Sequence, residues 1–334
     1  MFLIFFNNFS IWLLVMAAIV LSLLLMIALV ITNFAKQWMK TCFYISLFFS
    51  LSGSTFSFWN WSADKFELTK FLSQTIFANF EKAAKNSETH QPSSQLPLGN
   101  PSSKNKKNEI LLENDFLVIS YNCQSLIPNW VAWTVTKDDF GAIDRQNDFR
   151  PDARLPINCQ VVPSDYSRSG FDRGHLAPSA DRTNSVEANS GTFLMSNMSP
   201  QTNELNAGPW EKLERFTRSL ARRNQLTVVY AGGIANPPVQ KINQRITIPQ
   251  YFWKVIVVFK SNETPIKEIS AENRIICVMM PNTLGIRNEN WRTFKTNLKT
   301  IEEKSGLKFF QSLKVAPEIR TAIDRNEKNE KEEN

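Results

Sequence analysis

The segment "SGFDRGHLAPSADR", residues 169–182, contains His175, one of only two histidines in a chain of 334 residues. An acid, a base and a glycine directly precede this histidine: Asp172, Arg173 and Gly174. Histidine is the side chain whose ordinary pKa suits proton abstraction near neutral pH, and glycine permits a close backbone approach. In isolation the same four residues are equally compatible with a reactive histidine and with an ordinary turn held by an Asp–Arg pair. The surrounding sequence has to distinguish these two possibilities.

The composition of the chain favours a polyanionic partner. Lys and Arg number 38 against 31 Asp and Glu, which gives a formal charge of +7. Such an excess is typical of proteins that bind nucleic acid or anionic lipid. The four cysteines form no CxxC or Cys/His cluster, so no zinc site is predicted. Cys42 lies in an apolar segment, and the remaining three allow one disulfide at most, without indicating the pairing or the compartment.

Two apolar segments near the N-terminus predict membrane insertion. Residues 11–31 are apolar except for Ser22 and would span about 30 Å as a helix, the thickness of a hydrocarbon core. Residues 42–61 could return the chain across the membrane, since Lys36 and Lys40 favour a cytoplasmic connection between the two segments. Two spans would export the rest of the chain, whereas a single span would leave it in the cytoplasm.

The segment that begins at Met39 also has the parts of a signal peptide. Lys40 supplies the charged region, residues 42–51 supply the apolar region, and a run of small residues ending at Ser54 supplies the cleavage site. A start or a cleavage in this segment would yield a secreted protein, so this hypothesis and the two-span hypothesis both favour export. A mitochondrial location is the alternative, although the first 40 residues lack the Arg-rich, amphipathic pattern of a transit peptide.

Composition divides the chain into four regions. Residues 62–84 have an amphipathic, roughly helical pattern, and residues 85–109 are polar and rich in Pro and Ser, which is typical of a flexible linker. The last residues are charged throughout, as in a solvated tail. The predicted organisation is a hydrophobic anchor or signal region at 1–61, a stalk and linker at 62–112, a globular domain at 113–316 and a charged tail at 317–334.

The predicted domain has the pattern of an α+β fold with a mostly antiparallel sheet. Runs rich in Val and Ile predict strands: "NWVAWTVTK", "LTVVYAGGI", "YFWKVIVVF" and "RIICVMM". Residues 209–223 predict a helix with Trp210, Leu213 and Leu220 on one face, and a second helix is predicted from Asn288. Strands with a few segregated helices are characteristic of this fold class.

Two oxygen-bearing side chains accompany the start of the first helix. Asn206 lies just before the helix and Glu214 follows eight residues later, a spacing that returns to within about 80° of the same direction, so both can face one site. An amide and a carboxylate suit Mg²⁺, which keeps most of its waters. Singly, Asn206 is typical of a helix N-cap and Glu214 of an exposed helical residue.

Three arginines lie upstream of the histidine segment: Arg145, Arg150 and Arg154. The guanidinium group forms bidentate, charge-assisted hydrogen bonds with phosphate oxygens. Each of these arginines alone is typical of a surface charge, but together they indicate a phosphate-binding region.

Taken in order, these segments resemble the DNA/RNA non-specific endonuclease family of ββα-metal, or His-Me finger, nucleases. The family signature is D-R-G-H, then S-N-x-x-P-Q, then L-N followed by W and an L-E pair, and the matching segments here are "DRGH", "SNMSPQ" and "LNAGPWEKLE". The resemblance covers residues 116–313. It departs from the family pattern at "AGGI", where G-P-V/I is usual, and at Pro209, which a first helical turn tolerates.

The resemblance implies a fold, a reaction and a set of residue roles. It implies a ββα-metal domain that hydrolyses the phosphodiester bonds of DNA and RNA without sequence preference, with Mg²⁺ as cofactor and Mn²⁺ as a substitute. The implied roles are general base for His175, direct metal ligand for Asn206, holder of the metal's water shell for Glu214, transition-state stabiliser for Arg145, contact to the scissile phosphate for Arg173 and support of the motif for Asp172.

Two hypotheses from other functional classes stay open. A catalytically silent, membrane-anchored nucleic-acid-binding module would lack the base or the metal ligand, and this sequence retains both. A membrane-associated structural protein would use its basic surface for lipid. The sequence leaves open whether two copies form a homodimer.

The N-terminus of the mature protein distinguishes the membrane hypotheses. A cleaved signal peptide predicts a mature chain that begins directly after Ser54, because signal peptidase cuts after a small-residue site. A membrane-anchored form instead retains residues 11–31. Mass spectrometry of the N-terminal peptide measures this, and a mature chain that retains residues 11–31 would rule out the cleaved form.

Overall fold

The computed structural model describes residues 94–103, 109–260 and 266–324 of the chain. The predicted membrane segments at 11–31 and 42–61 lie outside the described residues, as does the amphipathic stretch. Within the described part, no helix has the length and the apolar character needed to cross a membrane.

Fifteen strands and four α-helices lie in the described residues. The strands are β1 Ser102–Ser103, β2 Glu109–Glu113, β3 Val118–Asn122, β4 Ile127–Val135, β5 Asp172–His175, β6 Met198–Gln201, β7 Leu226–Ile234, β8 Lys241–Ile242, β9 Ile246–Thr247, β10 Tyr251–Phe259, β11 Glu268–Ile269, β12 Arg274–Pro281, β13 Lys295–Thr296, β14 Leu307–Lys308 and β15 Lys314–Val315. The helices are α1 Val186–Gly191, α2 Asn203–Leu205, α3 Glu211–Arg222 and α4 Leu298–Ser305, with a π-helical turn at Asn206–Trp210 between α2 and α3.

Seven of the strands form one antiparallel sheet in the order β13-β12-β10-β7-β4-β3-β2. The four runs predicted as strands from their Val and Ile content correspond to β4, β7, β10 and β12, which lie next to one another in this sheet. The predicted mixture of helices with a mostly antiparallel sheet is therefore confirmed.

Both faces of the central strands are buried. In β10, Phe252 and Ile256 belong to the core on one side of the sheet, and Trp253 and Val255 belong to the core on the other. The first side, here called the site face, packs against α2 and α3, and the second side, the back face, packs against α4 and the segments around Leu98. A strand that is covered on both faces is apolar at nearly every position, which explains the continuous Val and Ile runs.

Helix α3 packs on the site face through Leu213 and Leu220. The helix predicted at 209–223 is confirmed apart from its first turn. Gly208 has φ −111° and ψ −121°, which interrupts the helical path, and a Cβ at this position would lie 2.8 Å from the Cα of Arg287. The neighbouring backbone passes so close to this kink that only glycine fits.

The helix predicted from Asn288 begins only at Leu298. Trp291–Phe294 form a 3-10 turn, and the two residues of β13 pair with β12 instead. Trp291 is buried in the site-face core, and this burial overrides the local helical pattern. Asn297 then starts α4 as its N-cap, because its Oδ1 accepts a hydrogen bond from the backbone N–H of Thr300 at 2.9 Å.

The predicted boundary between linker and domain at residue 113 is too late. Gln95, Leu96 and Leu98 are buried, and the two leucines belong to the back-face core. The Gln95 Oε1 accepts hydrogen bonds from the Thr134 backbone N–H at 3.0 Å and from the Arg182 guanidinium at 2.9 Å. The Pro- and Ser-rich composition favours a linker, but two buried leucines are enough to attach an extended segment to an apolar face.

Part of the predicted charged tail is folded as well. Ile319 lies in the back-face core. The Asp324 side chain, 1% exposed, accepts a hydrogen bond from Arg274 Nε at 2.7 Å and pairs with Lys295 Nζ at 3.0 Å. Residues 325–334 lie outside the described residues, so the folded region extends at least to Asp324.

A disulfide between Cys123 and Cys159 resolves the cysteine pairing that the sequence leaves open. The remaining cysteine of the described part, Cys277, is a buried free thiol. The Tyr121 hydroxyl donates a hydrogen bond to the Cys159 carbonyl at 3.1 Å, close to the disulfide. The long segment between β4 and β5, which carries Arg145, is thereby anchored to the sheet.

Substitution of Asp324 tests the folded end of the chain. Asp324→Ala should lower the free energy of unfolding by about 3 kcal/mol or more, because two buried cations lose their shared carboxylate. Equilibrium urea unfolding measures the change. The matched control Glu303→Ala removes an exposed carboxylate that lies 4.0 Å from Lys299, and its effect should stay below about 1 kcal/mol. Equal effects of the two substitutions would contradict the place of Asp324 in the folded core.

Candidate active site

The histidine segment forms one strand of a hairpin beside the sheet. Strands β5 and β6 pair antiparallel, with Asp172 opposite Gln201 and His175 opposite Met198, and α2, the π turn and α3 follow β6 directly. Gly174 lies beneath the Gln201 side chain, and a Cβ on this residue would collide with that side chain. The glycine of the motif is therefore required by packing within the hairpin.

His175 is 8% exposed and packs against two phenylalanine rings. The Phe149 and Phe193 ring centroids lie 5.6 and 5.0 Å from the imidazole centroid, and the two phenyl rings contact each other edge to face at 4.9 Å. The Trp210 indole N–H donates a hydrogen bond to the His175 backbone carbonyl at 3.2 Å. The aromatic rings thus hold the imidazole, and Trp210 on the helix side holds its backbone.

The pKa of His175 is lowered from 6.5 to about 3, first by burial and then by the positive charges of Arg145 and Arg173. The imidazole is therefore neutral at neutral pH. Its Nε2 has no hydrogen-bond partner within the part of the chain that the structure describes. A neutral imidazole is the form that can accept a proton.

The guanidinium groups of Arg145 and Arg173 stack on the same two phenyl rings. The Arg173 guanidinium carbon lies 4.1 Å from the Phe149 ring centroid, and that of Arg145 lies 4.8 Å from the Phe193 ring centroid. Arg145 also donates hydrogen bonds to Ser179 Oγ at 2.7 Å and to Asn147 Oδ1 at 2.8 Å. The structure therefore brings both predicted arginines together with His175.

The other two arginines of the upstream segment are engaged elsewhere. Arg150 pairs with Asp148 at 2.6 Å, and Arg154 pairs with Asp152 at 2.6 Å. Both guanidinium groups have a carboxylate partner of their own, unlike Arg145. Of the three upstream arginines, Arg145 is therefore the one that lies near His175, together with Arg173.

Asp172 on β5 orients the side chain of Asn206, the first residue of the π-helical turn. The Asn206 Nδ2 donates a hydrogen bond to Asp172 Oδ2 at 3.0 Å, and Asn203 Nδ2 donates to the same oxygen at 2.8 Å. No described donor bonds the Oδ1 of Asn206, so that oxygen is available to a ligand. Asn206 is not the N-cap of α3, which is Trp210, and lies instead at the C-terminal end of α2, whose N-cap is Thr202.

Glu214 is buried, so the interpretation as an exposed helical residue is wrong. Its Oε1 accepts a hydrogen bond from Lys254 Nζ at 3.0 Å, and its Oε2 has no partner among the described residues. Burial raises the pKa of the Glu214 carboxyl and lowers the pKa of the Lys254 ammonium, and the attraction between the two opposes both changes. The Glu214 charge also opposes the lowering of the Arg145 pKa that burial causes, which links the helix to the arginine.

The donor set restricts what kind of metal these residues could hold. The described residues contain no group of three or more His, Cys, Asp or Glu side chains suited to a metal ion. Among the residues that the resemblance assigns to the metal, one amide oxygen on Asn206 and one carboxylate oxygen on Glu214 have no hydrogen-bond partner in the described part of the chain. Oxygen donors of this kind, few in number, fit a hard divalent cation that keeps most of its water ligands.

Several residues of the site have no counterpart among the sequence predictions: Phe149, Phe193, Trp210 as an anchor of His175, and Lys254. The phenylalanines lie in irregular segments, where an aromatic residue has no pattern that distinguishes it. Lys254 does carry a signal, because a lysine in the middle of "YFWKVIVVF" is unusual for a strand buried on both faces. That anomaly could have identified a buried ion pair.

Burial of His175 should make stability depend on pH below 6.5. Above pH 6.5 the imidazole is neutral in both states, whereas between pH 6.5 and about 3 the unfolded chain binds a proton that the folded chain does not. The free energy of unfolding of the parent protein should therefore fall by roughly 2 kcal/mol more than that of His175→Gln between pH 7 and pH 5. Urea unfolding at several pH values measures this. His90→Gln is the control, and parallel curves for parent and His175→Gln would contradict the burial of a neutral imidazole.

Comparisons with known proteins agree with this architecture. Residues 95–316 match the family model of the DNA/RNA non-specific endonucleases, and the match begins at the buried Gln95. A nuclease of Nostoc sp. is 38% identical over 237 residues, which cover 69% of this chain and 84% of the relative. Nuclease C1 of Cunninghamella echinulata is 32% identical over 221 residues, 61% of this chain and 84% of the relative. The mitochondrial nuclease EXOG of Homo sapiens is 28% identical over 216 residues, 60% of this chain and 57% of the relative.

The fold is similar to that of a chain in the crystal structure of the EndoG/EndoGI complex. The TM-score is 0.56 at 24% sequence identity, and the similarity covers 67% of this chain and 94% of that chain. The large antiparallel sheet with helices is thus a fold shared with that chain. Because the family match spans nearly the whole described region, the chain belongs to the DNA/RNA non-specific endonuclease family.

Proposed function

We propose that this protein is a metal-dependent endonuclease that hydrolyses phosphodiester bonds of DNA and RNA, with His175 as general base and a Mg²⁺ ion held by Asn206. The observation that carries the proposal is the buried imidazole of His175 packed against Phe149 and Phe193, with an arginine stacked on each of these rings. Family membership supplies the class of substrate, nucleic acid. The site geometry supports the assignment of individual residues.

The role of His175 rests on its charge state. A general base must be unprotonated before it acts, and burial together with two nearby cations keeps this imidazole neutral. The imidazole takes the proton from the attacking water. The Phe149 and Phe193 rings limit its orientation, so its direction toward the water is preorganised.

The arginines suit the charge of the phosphate. Arg145 and Arg173 place positive charge near the imidazole, and each guanidinium group stacks on a phenyl ring that limits its movement. Arg145 stabilises the negative charge that develops on the phosphate, and Arg173 contacts the scissile phosphate. Phosphate contacts carry no base information, which fits cleavage without sequence preference.

Two oxygens without protein partners fit a hydrated divalent cation. Asp172 accepts from the Asn206 amide nitrogen and so turns the Asn206 Oδ1 away from itself, while Glu214 keeps Oε2 for hydrogen bonds to the metal's waters. When bound, Mg²⁺, or Mn²⁺ in its place, would offset negative charge on the phosphate and the leaving oxygen.

The compartment in which the enzyme works is also part of the proposal. The Cys123–Cys159 disulfide favours an oxidising compartment, which supports export of the domain over retention in the cytoplasm. Relatives named as mitochondrial nucleases, among them one of Saccharomyces cerevisiae, keep an organellar location as the alternative. In either case the N-terminal apolar segments would serve as anchor or signal.

Replacement of the base is the first test. His175→Ala should reduce the rate of plasmid cleavage by about 10² to 10⁴, the usual contribution of a positioned proton acceptor. His90→Ala is the matched control, because it removes the other histidine of the chain, which lies in the predicted linker, and should leave the rate unchanged. Cleavage by His175→Ala at the parent rate would refute the assignment.

Removal of the metal is the second test. EDTA should abolish cleavage of single- and double-stranded DNA and RNA, and added Mg²⁺ should restore it, because the charge of the cation is needed at the phosphate. Electrophoresis of the digests measures this. Full activity in EDTA would refute the metal requirement, and binding without any cleavage would favour the catalytically silent module.

A further inference from the structure

Lys254 is a buried lysine in the middle of β10, with 1% of its surface exposed. The strand is flanked on both sides, and Lys254 lies opposite Ala231 of β7 and Val278 of β12. An ammonium group at this position is removed from water, which is strongly unfavourable unless it is compensated. An apolar side chain at this position would avoid the cost of removing a charge from water, so the lysine requires another explanation.

Three groups surround the Lys254 ammonium. Its Nζ donates to Glu214 Oε1 at 3.0 Å and lies 4.0 Å from the Trp210 ring centroid and 5.7 Å from the Trp133 ring centroid. Aromatic faces attract a cation, so the two indoles fix the ammonium while the carboxylate pairs with it. Among the described residues, Glu214 is the carboxylate that Lys254 bonds.

This bond determines how the Glu214 carboxylate is turned. Because Lys254 occupies Oε1, Oε2 is the oxygen left for another ligand. The next cation along the helix, Arg218, pairs with Asp181 at 3.1 Å. Without Lys254, the Glu214 carboxylate would be free to rotate toward Arg218, and Oε2 would lose its direction.

The contact with Trp210 extends the influence of Lys254 to the base. The Trp210 indole lies against the ammonium and donates its N–H to the His175 carbonyl. Lys254 therefore contacts both the acid on α3 and the ring that anchors the strand of His175.

We propose that Lys254 is a positioning residue of the active site: it holds Glu214 with Oε2 directed at the water shell of the divalent cation, and it supports Trp210 against the strand of His175. The inference rests on the proposed function, in which Glu214 holds the metal's waters. Lys254 acts through these two residues and does not itself contact the reacting groups.

Metal binding without nucleic acid provides the main test. In the full-length protein, Lys254→Met keeps the volume of the side chain but removes its charge and its hydrogen-bond donor. Mn²⁺ affinity, measured by electron paramagnetic resonance of the free ion, should fall about tenfold or more, as is usual when a partner of a metal-site residue is lost. Lys299→Met is the control, because it removes an exposed lysine on α4 at the back face and should leave the affinity unchanged. Unchanged affinity in Lys254→Met would overturn the proposal.

A double substitution shows whether Lys254 acts through Glu214. Lys254→Met combined with Glu214→Gln should bind Mn²⁺ no more than about twofold more weakly than Glu214→Gln alone, because the two residues work as one unit. Losses that multiply as for independent residues would overturn the proposed route.

Lys254→Gln separates positioning from support of the fold. Glutamine keeps a donor for Oε1, so we expect its Mn²⁺ affinity to lie between those of the parent and of Lys254→Met, about threefold below the parent. If Lys254→Met does not fold, Lys254→Gln must still bind Mn²⁺ more weakly well below its Tm, and unchanged affinity would overturn the proposal. Affinities that follow only the Tm of each variant would show a purely structural role.

Glu214→Gln alone distinguishes failure of this inference from failure of the proposed function. If that variant binds Mn²⁺ as the parent does, the metal site itself is misassigned. If it loses Mn²⁺ binding while both Lys254 variants retain it, the role of Lys254 alone is refuted.

Discussion

The burial of α3 against the site face of the antiparallel sheet determines where the polar groups of the candidate site lie. Leu213 and Leu220 place one side of the helix in the apolar core, and Glu214 and Arg218 follow them below the surface. A buried charge is tolerated only with a partner, and the helix finds Lys254 on β10 and Asp181 on the hairpin side. Apolar packing thus fixes the position of α3, and the ion pairs compensate the charges that this packing buries.

Burial also leaves the site with a neutral imidazole next to charged guanidinium groups. The imidazole of His175 is buried, and its lowered pKa keeps it neutral at neutral pH, whereas the guanidinium groups of Arg173 and Arg145 stack on the rings of Phe149 and Phe193. Desolvation disfavours the charged imidazole, and the two arginines add repulsion in the same direction. For the proposed reaction this order is suitable, because the phosphate meets positive charge while the base remains unprotonated.

The central strands were predictable because burial on both faces requires apolar residues at nearly every position. The limits of the domain were not predictable in this way. Leu96, Leu98 and Ile319 lie within polar stretches, and an average composition does not show that single residues there enter the back-face core. The helix expected from Asn288 failed for a related reason, since the buried Trp291 belongs to a different local structure.

Among the site residues, sequence order identified Asp172, Arg173, His175, Asn206 and Glu214 as one group, and the structure brings Asp172 to Asn206 through a hydrogen bond of 3.0 Å. The resemblance singled out Arg145 from its neighbours, and the structure shows that Arg150 and Arg154 pair with Asp148 and Asp152 instead. Only the structure showed that Phe149, Phe193 and Lys254 lie near the other site residues, although a lysine within a strand of apolar residues is an anomaly that the sequence already contains.

The amino-acid sequence by itself determined the family, the antiparallel sheet and the chemical types of the site residues, because motif order and strand patterns are local properties of the chain. The tertiary structure decided the neutral state of His175, the orientation of Asn206 and the burial of Glu214. These properties depend on contacts between residues that are distant in sequence, since Asp172 and Asn206 differ by 34 in residue number and Glu214 and Lys254 differ by 40. Desolvation and hydrogen-bond direction arise only when such residues pack together.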